Sequence, residues 1–129
     1  MTDGEPTELV ARLMHANLLE VFNERDADRR LAAIDRTYSS SVRWSDDDGV
    51  TVGREALAAK AAELQSGLDG LEFVAAGPVQ QTRGLGYLAW ELRPPGGAPA
   101  VSGFDVALIT DGRIADLYTV VTHLADRAG

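Results

Sequence analysis

Apolar residues recur at helical spacing in the first part of the chain. Residues 7–24 carry them on one face, which predicts a single long amphipathic helix. The polar break that follows offers Asp26 or Asp28 as the N-cap of a second helix. The stripe with which this second helix is expected to face the core consists of Leu31, Ile34 and Tyr38. Two helices are therefore predicted before the first strand.

A third helical pattern follows a short strand and an acidic turn. The strand is predicted from the alternation at Val42 and Trp44, and the turn from the Asp-Asp-Asp-Gly run at 46–49. The helix is expected to begin at Gly53 or Arg54 and to end at the glycines of residues 67–70. Its apolar stripe consists of Leu57, Ala61, Leu64 and Leu68.

Beyond residue 70 the pattern changes to the alternation that is typical of β-strands. Strands are predicted over residues 71–76, 79–82, 87–93, 100–109 and 114–122. Gly77-Pro78 indicates a bend or bulge between the first two strands, and residues 94–99 a rigid hairpin loop. Helices followed by consecutive antiparallel strands predict an α+β fold. In this fold, three N-terminal helices pack on a strongly curved, cone-shaped antiparallel sheet, and we expect residues 1–129 to form one domain.

The last two predicted strands are joined by Asp111-Gly112, a strong signal for a β-hairpin. Asp105 lies in the middle of the first of them, between Phe104 and Val106. A charge in such a position is costly unless it is used or satisfied. If the site is dry, the pKa of the carboxyl group should be raised. The alternative is a partly solvated aspartate near the mouth of a pocket.

The register of this hairpin decides which residues accompany Asp105. A two-residue loop places Tyr118 opposite Asp105 and Asp116 on the diagonal, which would bring two carboxylates and a phenol together. A three-residue loop with a bulge places Leu117 opposite instead, and a slip of one residue exchanges the two faces. The residues that then share the face of Asp105 are Ala115, Leu117, Thr119 and Val121.

Two further residues are candidates for the site. Trp90 shares a strand face with Leu88 and Leu92, so it is expected either to line a cavity or to be a core residue with its indole N–H bonded to the backbone. His15 lies near Leu18 in helical projection. It could point into the cavity as a general base, or it could remain at the helix surface.

Composition and charge exclude several classes of function. Twelve basic and twenty acidic residues give a net charge of −8, so nucleic acid and anionic membrane surfaces should be repelled. The absence of cysteine excludes disulfides and thiolate metal sites and fits a cytoplasmic location. His15 and His123 lack metal-ligand spacing, and His123 is expected in a frayed C-terminal segment. Neither a metal nor another cofactor is predicted, nor is a signal peptide in residues 1–6 or a transmembrane segment.

The order of elements and the end of the chain resemble a known superfamily. The motifs are Gly-Phe-Asp-Val at 103–106, Asp-Gly-Arg-Ile at 111–114 and Leu-Tyr-Thr-Val-Val at 117–121. Over residues 8–122 the chain resembles the nuclear transport factor 2-like superfamily, and within it the SnoaL-like group of polyketide cyclases and ketosteroid isomerase relatives. The resemblance implies a cone-shaped pocket, which the superfamily uses for isomerases, cyclases, dehydratases, hydrolases and non-catalytic binders. It also favours the bulged register.

The resemblance implies a catalytic role for Asp105, whereas two other catalytic positions of the isomerases hold apolar residues in this chain. Asp105 falls where ketosteroid isomerases keep a protonated aspartic acid that donates to the substrate oxyanion. The catalytic base of those enzymes would fall near Trp44, just before Asp46, and their tyrosine near Leu18. Both positions are apolar here, so a ketosteroid isomerase mechanism is rejected. Asp46 could reach the cavity, but an aspartate in such a turn is expected to be solvated, and Val50 breaks the spacing of a calcium loop.

Two functions are therefore predicted. The first is a SnoaL-like enzyme that transfers a proton on a small apolar substrate, with Asp105 and, more weakly, His15 as catalytic residues. The second is a non-catalytic module for small-molecule binding or dimerisation. The pocket is expected to be lined by Leu18, Trp44, Trp90, Leu117 and Thr119. The outer sheet face predicts a homodimer packed sheet to sheet, through Phe104, Val106, Leu108 and Tyr118.

Overall fold

The computed structural model describes residues 7–124, so the predicted lead at residues 1–6 lies outside the described residues. The helices are α1 (Thr7–His15), α2 (Ala27–Thr37) and α3 (Arg54–Ser66), and a π-helix (Ala16–Phe22) directly continues α1. The strands are β1 (Tyr38–Asp46), β2 (Gly49–Val52), β3 (Glu72–Ala75), β4 (Gln80–Thr82), β5 (Leu85–Arg93), β6 (Val101–Thr110) and β7 (Arg113–Leu124).

The first helical segment is not one continuous α-helix. At Ala16 it passes into a π-helix, in which each turn holds an extra residue. This wider turn buries three consecutive residues, Ala16, Asn17 and Leu18, which the spacing of an α-helix does not favour. Val21 and Phe22 are buried by the same segment. The π-helix therefore turns more side chains toward the sheet than the predicted helix would.

The second helix begins as predicted, but its buried face differs. Asp26 is the N-cap, and its carboxylate accepts a hydrogen bond from the backbone N–H of Asp28 at 3.2 Å. Ile34 is buried, whereas Leu31 is 50% exposed, so the prediction that Leu31 faces the core was wrong. The buried residues of α2 are Arg30, Ala33, Ile34 and Thr37, and Tyr38 already belongs to β1. The apolar stem of an arginine can be buried while its head is bonded, which a hydropathy pattern does not reveal.

The third helix also begins as predicted, after Gly53, whose φ of 91° is a conformation that favours glycine. Leu57, Ala61 and Leu68 are buried, but Leu64 is 40% exposed at the edge of a cavity described below. No helix among residues 7–124 is long and apolar enough to cross a membrane.

The α+β class is confirmed, with the helices packed on a curved sheet of seven strands in the order β2-β1-β7-β6-β5-β3, with β4 also paired to β5. The sheet is mixed rather than purely antiparallel, because β1 pairs in parallel with β7. These strands are far apart in sequence, so no tight turn fixes their relative direction. The edge strand β2 was not predicted; it is only four residues long, and its Val50 and Val52 are more than half exposed.

The hairpin between β6 and β7 combines features of both predicted registers. Asp111 and Gly112 form a two-residue turn with φ values of 54° and 78°, as the type I′ turn requires. A bulge at Ala115 then shifts the pairing, so that Asp105 lies opposite Thr119. Neither predicted partner was right, but the face predicted for the bulged register was, since Tyr118 points outward.

The end of β7 is paired with β6 in the sheet. His123 pairs with Ser102 of β6, so the prediction of a frayed segment at this residue was wrong. Its side chain is exposed.

Two glycines allow close approaches that shape the interior. A Cβ on Gly86 would lie 2.8 Å from the sulfur of Met14, so glycine lets α1 pack directly on β5. A Cβ on Gly103 would lie 2.7 Å from the ring of Trp90. The ring therefore occupies the space above Gly103 on the concave face of the sheet.

Candidate functional site

A cavity of about 340 Å³ opens between the π-helix, α3 and the concave face of the sheet. Its wall is largely apolar, which is typical of small-molecule sites. The apolar lining residues are Leu18, Phe22, Trp44, Leu64, Phe73, Trp90, Leu92, Val101 and Val121. The polar lining residues are Asp46, Asp47, Asp48, Asp105 and Thr119.

The inner polar group of this cavity is the carboxylate of Asp105, which is only 5% exposed. One oxygen, Oδ1, accepts hydrogen bonds from the indole N–H of Trp90 at 3.1 Å and from the hydroxyl of Thr119 at 3.0 Å. The other oxygen, Oδ2, accepts from the side-chain amide of Asn17 at 2.8 Å. Three donors from three different elements thus hold the carboxylate in one orientation.

Two further side chains extend this network. The hydroxyl of Tyr38 donates to Oδ1 of Asn17, and both residues are fully buried. The indole N–H of Trp44 donates to the hydroxyl of Thr119 at 3.0 Å. Because Thr119 accepts from Trp44 and donates to Asp105, its hydroxyl proton is directed at the carboxylate. Every assigned donor in the network therefore points toward negative charge at Asp105.

Burial and hydrogen bonding act on the Asp105 carboxyl group in opposite directions. Burial disfavours the charged form and raises its pKa from 3.8 to about 6, although the bonds from Thr119, Trp90 and Asn17 favour that form and limit the rise. The pKa of Tyr38 is raised well above its ordinary value by burial and by the nearby charge of Asp105. Tyr38 is therefore a neutral donor, while Asp105 changes charge close to neutral pH.

The mouth of the cavity carries an ion pair. Lys60 of α3 lies 2.5 Å from a carboxylate oxygen of Asp46 and 3.9 Å from one of Asp48. Its ammonium group also lies 4.5 Å from the centre of the Trp44 ring, within the range of a cation–π contact. Asp46 was expected to be solvated, but its side chain is only 15% exposed because of this pairing. The pair fixes the loop that follows β1 against α3.

Aromatic rings form two sides of the cavity. Phe22 packs against Trp44 with ring centres 4.9 Å apart, and Phe73 meets Trp90 edge to face at 5.5 Å. Both tryptophans donate their N–H groups to the polar network, and these hydrogen bonds hold the rings in place. The cavity walls are therefore preorganised rather than loosely packed.

The predicted site residues are distributed as follows. Leu18, Trp44, Trp90 and Thr119 line the cavity together with Asp105. Leu117 points to the same side of the sheet, but it is fully buried in the core and does not line the cavity. His15 is exposed at the end of α1 and does not line it either. Among residues 7–124, no group of three histidine, aspartate or glutamate side chains is placed to hold a metal ion.

Two residues of the network were missed from the sequence. Asn17 falls on the apolar stripe between Met14 and Val21, and a polar residue in such a position is a signal that it has a buried partner. Tyr38 was placed on a helix stripe, whereas it begins β1. Of the carboxylates at the mouth, Asp46 was considered as a residue that could reach the cavity, whereas Asp47 and Asp48 were treated only as turn residues.

Comparisons with known proteins identify the fold. No protein-family profile and no curated protein matches the sequence. A proposed isomerase of the SnoaL-like family from Agrobacterium tumefaciens is similar in structure with a TM-score of 0.83 and 22% identity, over 91% of this chain and 100% of that one. A proposed SnoaL-like polyketide cyclase from Jannaschia has a TM-score of 0.69 and 17% identity, over 94% and 91% of the two chains.

A nuclear transport factor 2-like protein of unknown function from Cytophaga hutchinsonii is also similar, with a TM-score of 0.63 and 14% identity, over 94% of this chain and 93% of that one. At these identities the likeness concerns the fold. The chain therefore has the SnoaL-like, nuclear transport factor 2-like fold that its element order and terminal motifs resemble, and its function has to be argued from its own site.

Proposed function

We propose that the cavity binds a small apolar molecule and that Asp105 exchanges a proton with it, as in an isomerase or cyclase reaction. The observation that carries this proposal is the position of Asp105, a carboxyl group in the wall of a largely apolar cavity, with a pKa raised to about 6 by burial. A base is most effective when its pKa lies near the working pH. The similar structures described as an isomerase and a cyclase are compatible with this chemistry.

The surroundings of Asp105 restrict the reaction. The ionised carboxylate removes a proton from carbon and returns it elsewhere on the molecule, so protons balance without a cofactor. The N–H groups of Trp44 and Trp90 and the hydroxyl of Thr119 already donate within the network, so no side-chain donor among the described lining residues is left for a developing oxyanion. The substrate must therefore stabilise its own carbanion, as a molecule does whose C–H bond adjoins an aromatic ring and a carbonyl group.

We expect the protein to accelerate the exchange of such a proton for deuterium. The probe is β-tetralone in deuterated buffer, followed by proton NMR of its benzylic CH₂ signal. The rate should rise with pH through about 6 and level off above it, because the ionised form of Asp105 is the base. Asp105→Asn should lower the protein-catalysed rate at least tenfold.

Asp111→Asn is the matched control for this exchange. It makes the same change of charge in an exposed hairpin turn, where asparagine is well tolerated. Asp111 lies six residues from Asp105 along the same strand and turn, about 20 Å at the rise of a β-strand. Equal exchange rates for the wild-type protein and Asp105→Asn would refute the proton-transfer part of the proposal.

The second candidate function is a non-catalytic small-molecule carrier. It is favoured by the saturation of the Asp105 carboxylate with three hydrogen bonds, which is also how a purely structural buried carboxylate is satisfied. If β-tetralone changes the fluorescence of Trp44 and Trp90 on binding but its protons do not exchange, this second function is supported instead.

We also propose that the outer face of the sheet pairs with a second copy of the chain. Phe104, Val106, Tyr118 and Val120 lie side by side on β6 and β7, and Leu108, 40% exposed, extends the same face. An exposed apolar face of this kind is typical of an interface. We expect a dimer at micromolar concentration by sedimentation, and a monomer for Leu108→Glu. Leu31→Glu, a change at an exposed site on α2, should leave the dimer intact.

A further inference from the structure

The charged residues that line the cavity all have the same sign. They are Asp46, Asp47, Asp48 and Asp105, and no lysine, arginine or histidine is among the described lining residues. A cavity with charges of one sign, in contact with low-dielectric walls, attracts ligands of the opposite sign and repels ligands of its own sign. The net charge of −8 adds a weaker contribution in the same direction.

Only part of this negative charge is compensated. Lys60 pairs closely with Asp46 and is 3.9 Å from Asp48, so one cation serves two carboxylates. Asp47 is exposed at the mouth, and the side chain of Asp48 is 85% exposed. Inside, Asp105 is bonded by neutral donors, which leave its charge in place.

The aromatic walls act in the same direction as the carboxylates. Phe22, Trp44, Phe73 and Trp90 line one cavity. The faces of aromatic rings attract cations, and tryptophan does so most strongly. Lys60 already makes such a contact with Trp44, which shows that a cation is accommodated next to this ring.

We infer that the cavity selects an apolar molecule that carries a protonated amine, an inference that rests on the proposed binding function. The apolar body lies between the aromatic rings, and the ammonium group lies at the mouth beside Asp47 and Asp48. Asp105, whose two oxygens already accept three hydrogen bonds, contributes its negative charge at the inner end of the cavity. A carboxylate on the same body is repelled.

The test compares three probes with one rigid apolar body. They are the bridgehead amine of adamantane, the corresponding alcohol and the corresponding carboxylate, at pH 8 in low salt. Binding is followed by the fluorescence of Trp44 and Trp90, the two tryptophans of the sequence, both of which line the cavity. We expect the amine to bind about tenfold more tightly than the alcohol, and the carboxylate more weakly than either. Salt should reduce the preference, because charges at the mouth are screened.

Variants locate the effect. Asp47→Asn combined with Asp48→Asn should reduce the preference for the amine several-fold and leave the affinity for the alcohol unchanged. Asp111→Asn removes one negative charge in the turn between β6 and β7, which does not line the cavity, and should leave the preference intact. If the alcohol binds as tightly as the amine, the inference is overturned while the proposed binding function stands. If none of the three probes binds, both are overturned.

Discussion

The free energy of unfolding of the Asp105→Asn variant, relative to that of the wild-type protein, should increase as the pH rises. In the folded wild type, burial holds the pKa of this carboxyl at about 6, whereas in the unfolded chain it lies near its ordinary 3.8. Between these values the folded state binds more protons than the unfolded state, so the free energy of unfolding falls as the pH rises. This loss of stability is complete above about pH 7. It amounts to about 3 kcal/mol, because the pKa is raised by about two.

The measurement is urea unfolding of both proteins at pH 4 and pH 8, followed by tryptophan fluorescence. The difference in free energy of unfolding, variant minus wild type, should increase by about 2 to 3 kcal/mol between these pH values. The other carboxylates titrate in both proteins and cancel in this difference. The asparagine also presents an N–H donor to the N–H donor of Asn17. This mismatch lowers the stability of the variant by an amount that does not depend on pH. Asp111→Asn should give a flat difference, and a flat difference for Asp105→Asn would show that its carboxyl group is not dry.

The cost of this buried charge has a bearing on function. A protein selected for stability alone has no need of a carboxylate at this position, since an apolar residue of similar size removes the penalty. Here four other side chains, Asn17, Trp90, Thr119 and, through Asn17, Tyr38, are arranged around that one group. An arrangement that lowers stability and lines a cavity is typical of a functional site.

The fold was largely predictable because its signals are local. Helical spacing, the N-cap at Asp26 and the Asp111-Gly112 turn are each contained in a few neighbouring residues. The parallel pairing of β1 with β7 joins strands that are far apart in the chain, so no turn sequence predicts it. The bulge at Ala115 moves the partner of Asp105 to Thr119 without a local sequence signal.

The candidate site was predictable only in part for the same reason. Asp105 was identified because a charge in an apolar strand is costly wherever the strand lies. Its donor Asn17 is 88 residues away, and the π-helix that turns Asn17 inward is a local departure from the α-helical pattern. The acidic mouth depends on the pairing of Lys60 with Asp46 and on the packing of α3 against β1. No local sequence signal predicts this packing.

Asn17→Ala should destabilise the protein strongly, and more at pH 8 than at pH 4. The substitution leaves the Tyr38 hydroxyl and one oxygen of Asp105 without their partner in a buried site, which costs about 3 kcal/mol or more while Asp105 is charged. It also removes one of the bonds that lower the pKa of Asp105, so that pKa should rise above 6. Urea unfolding at the two pH values measures the cost, and carbon NMR of the carboxyl group measures the pKa.

Asn23→Ala is the matched control, because the Asn23 side chain accepts a bond from the backbone N–H of Phe73 at 2.8 Å and contacts no carboxylate in the described hydrogen bonds. It should cost about 1 kcal/mol at both pH values. In the Asp105→Asn background the pH dependence of the Asn17→Ala cost should disappear, since the charge on which Asn17 acts is gone. An Asn17→Ala cost that is equal at pH 4 and pH 8 would mean that Asn17 fills space beside Asp105 without stabilising its charge.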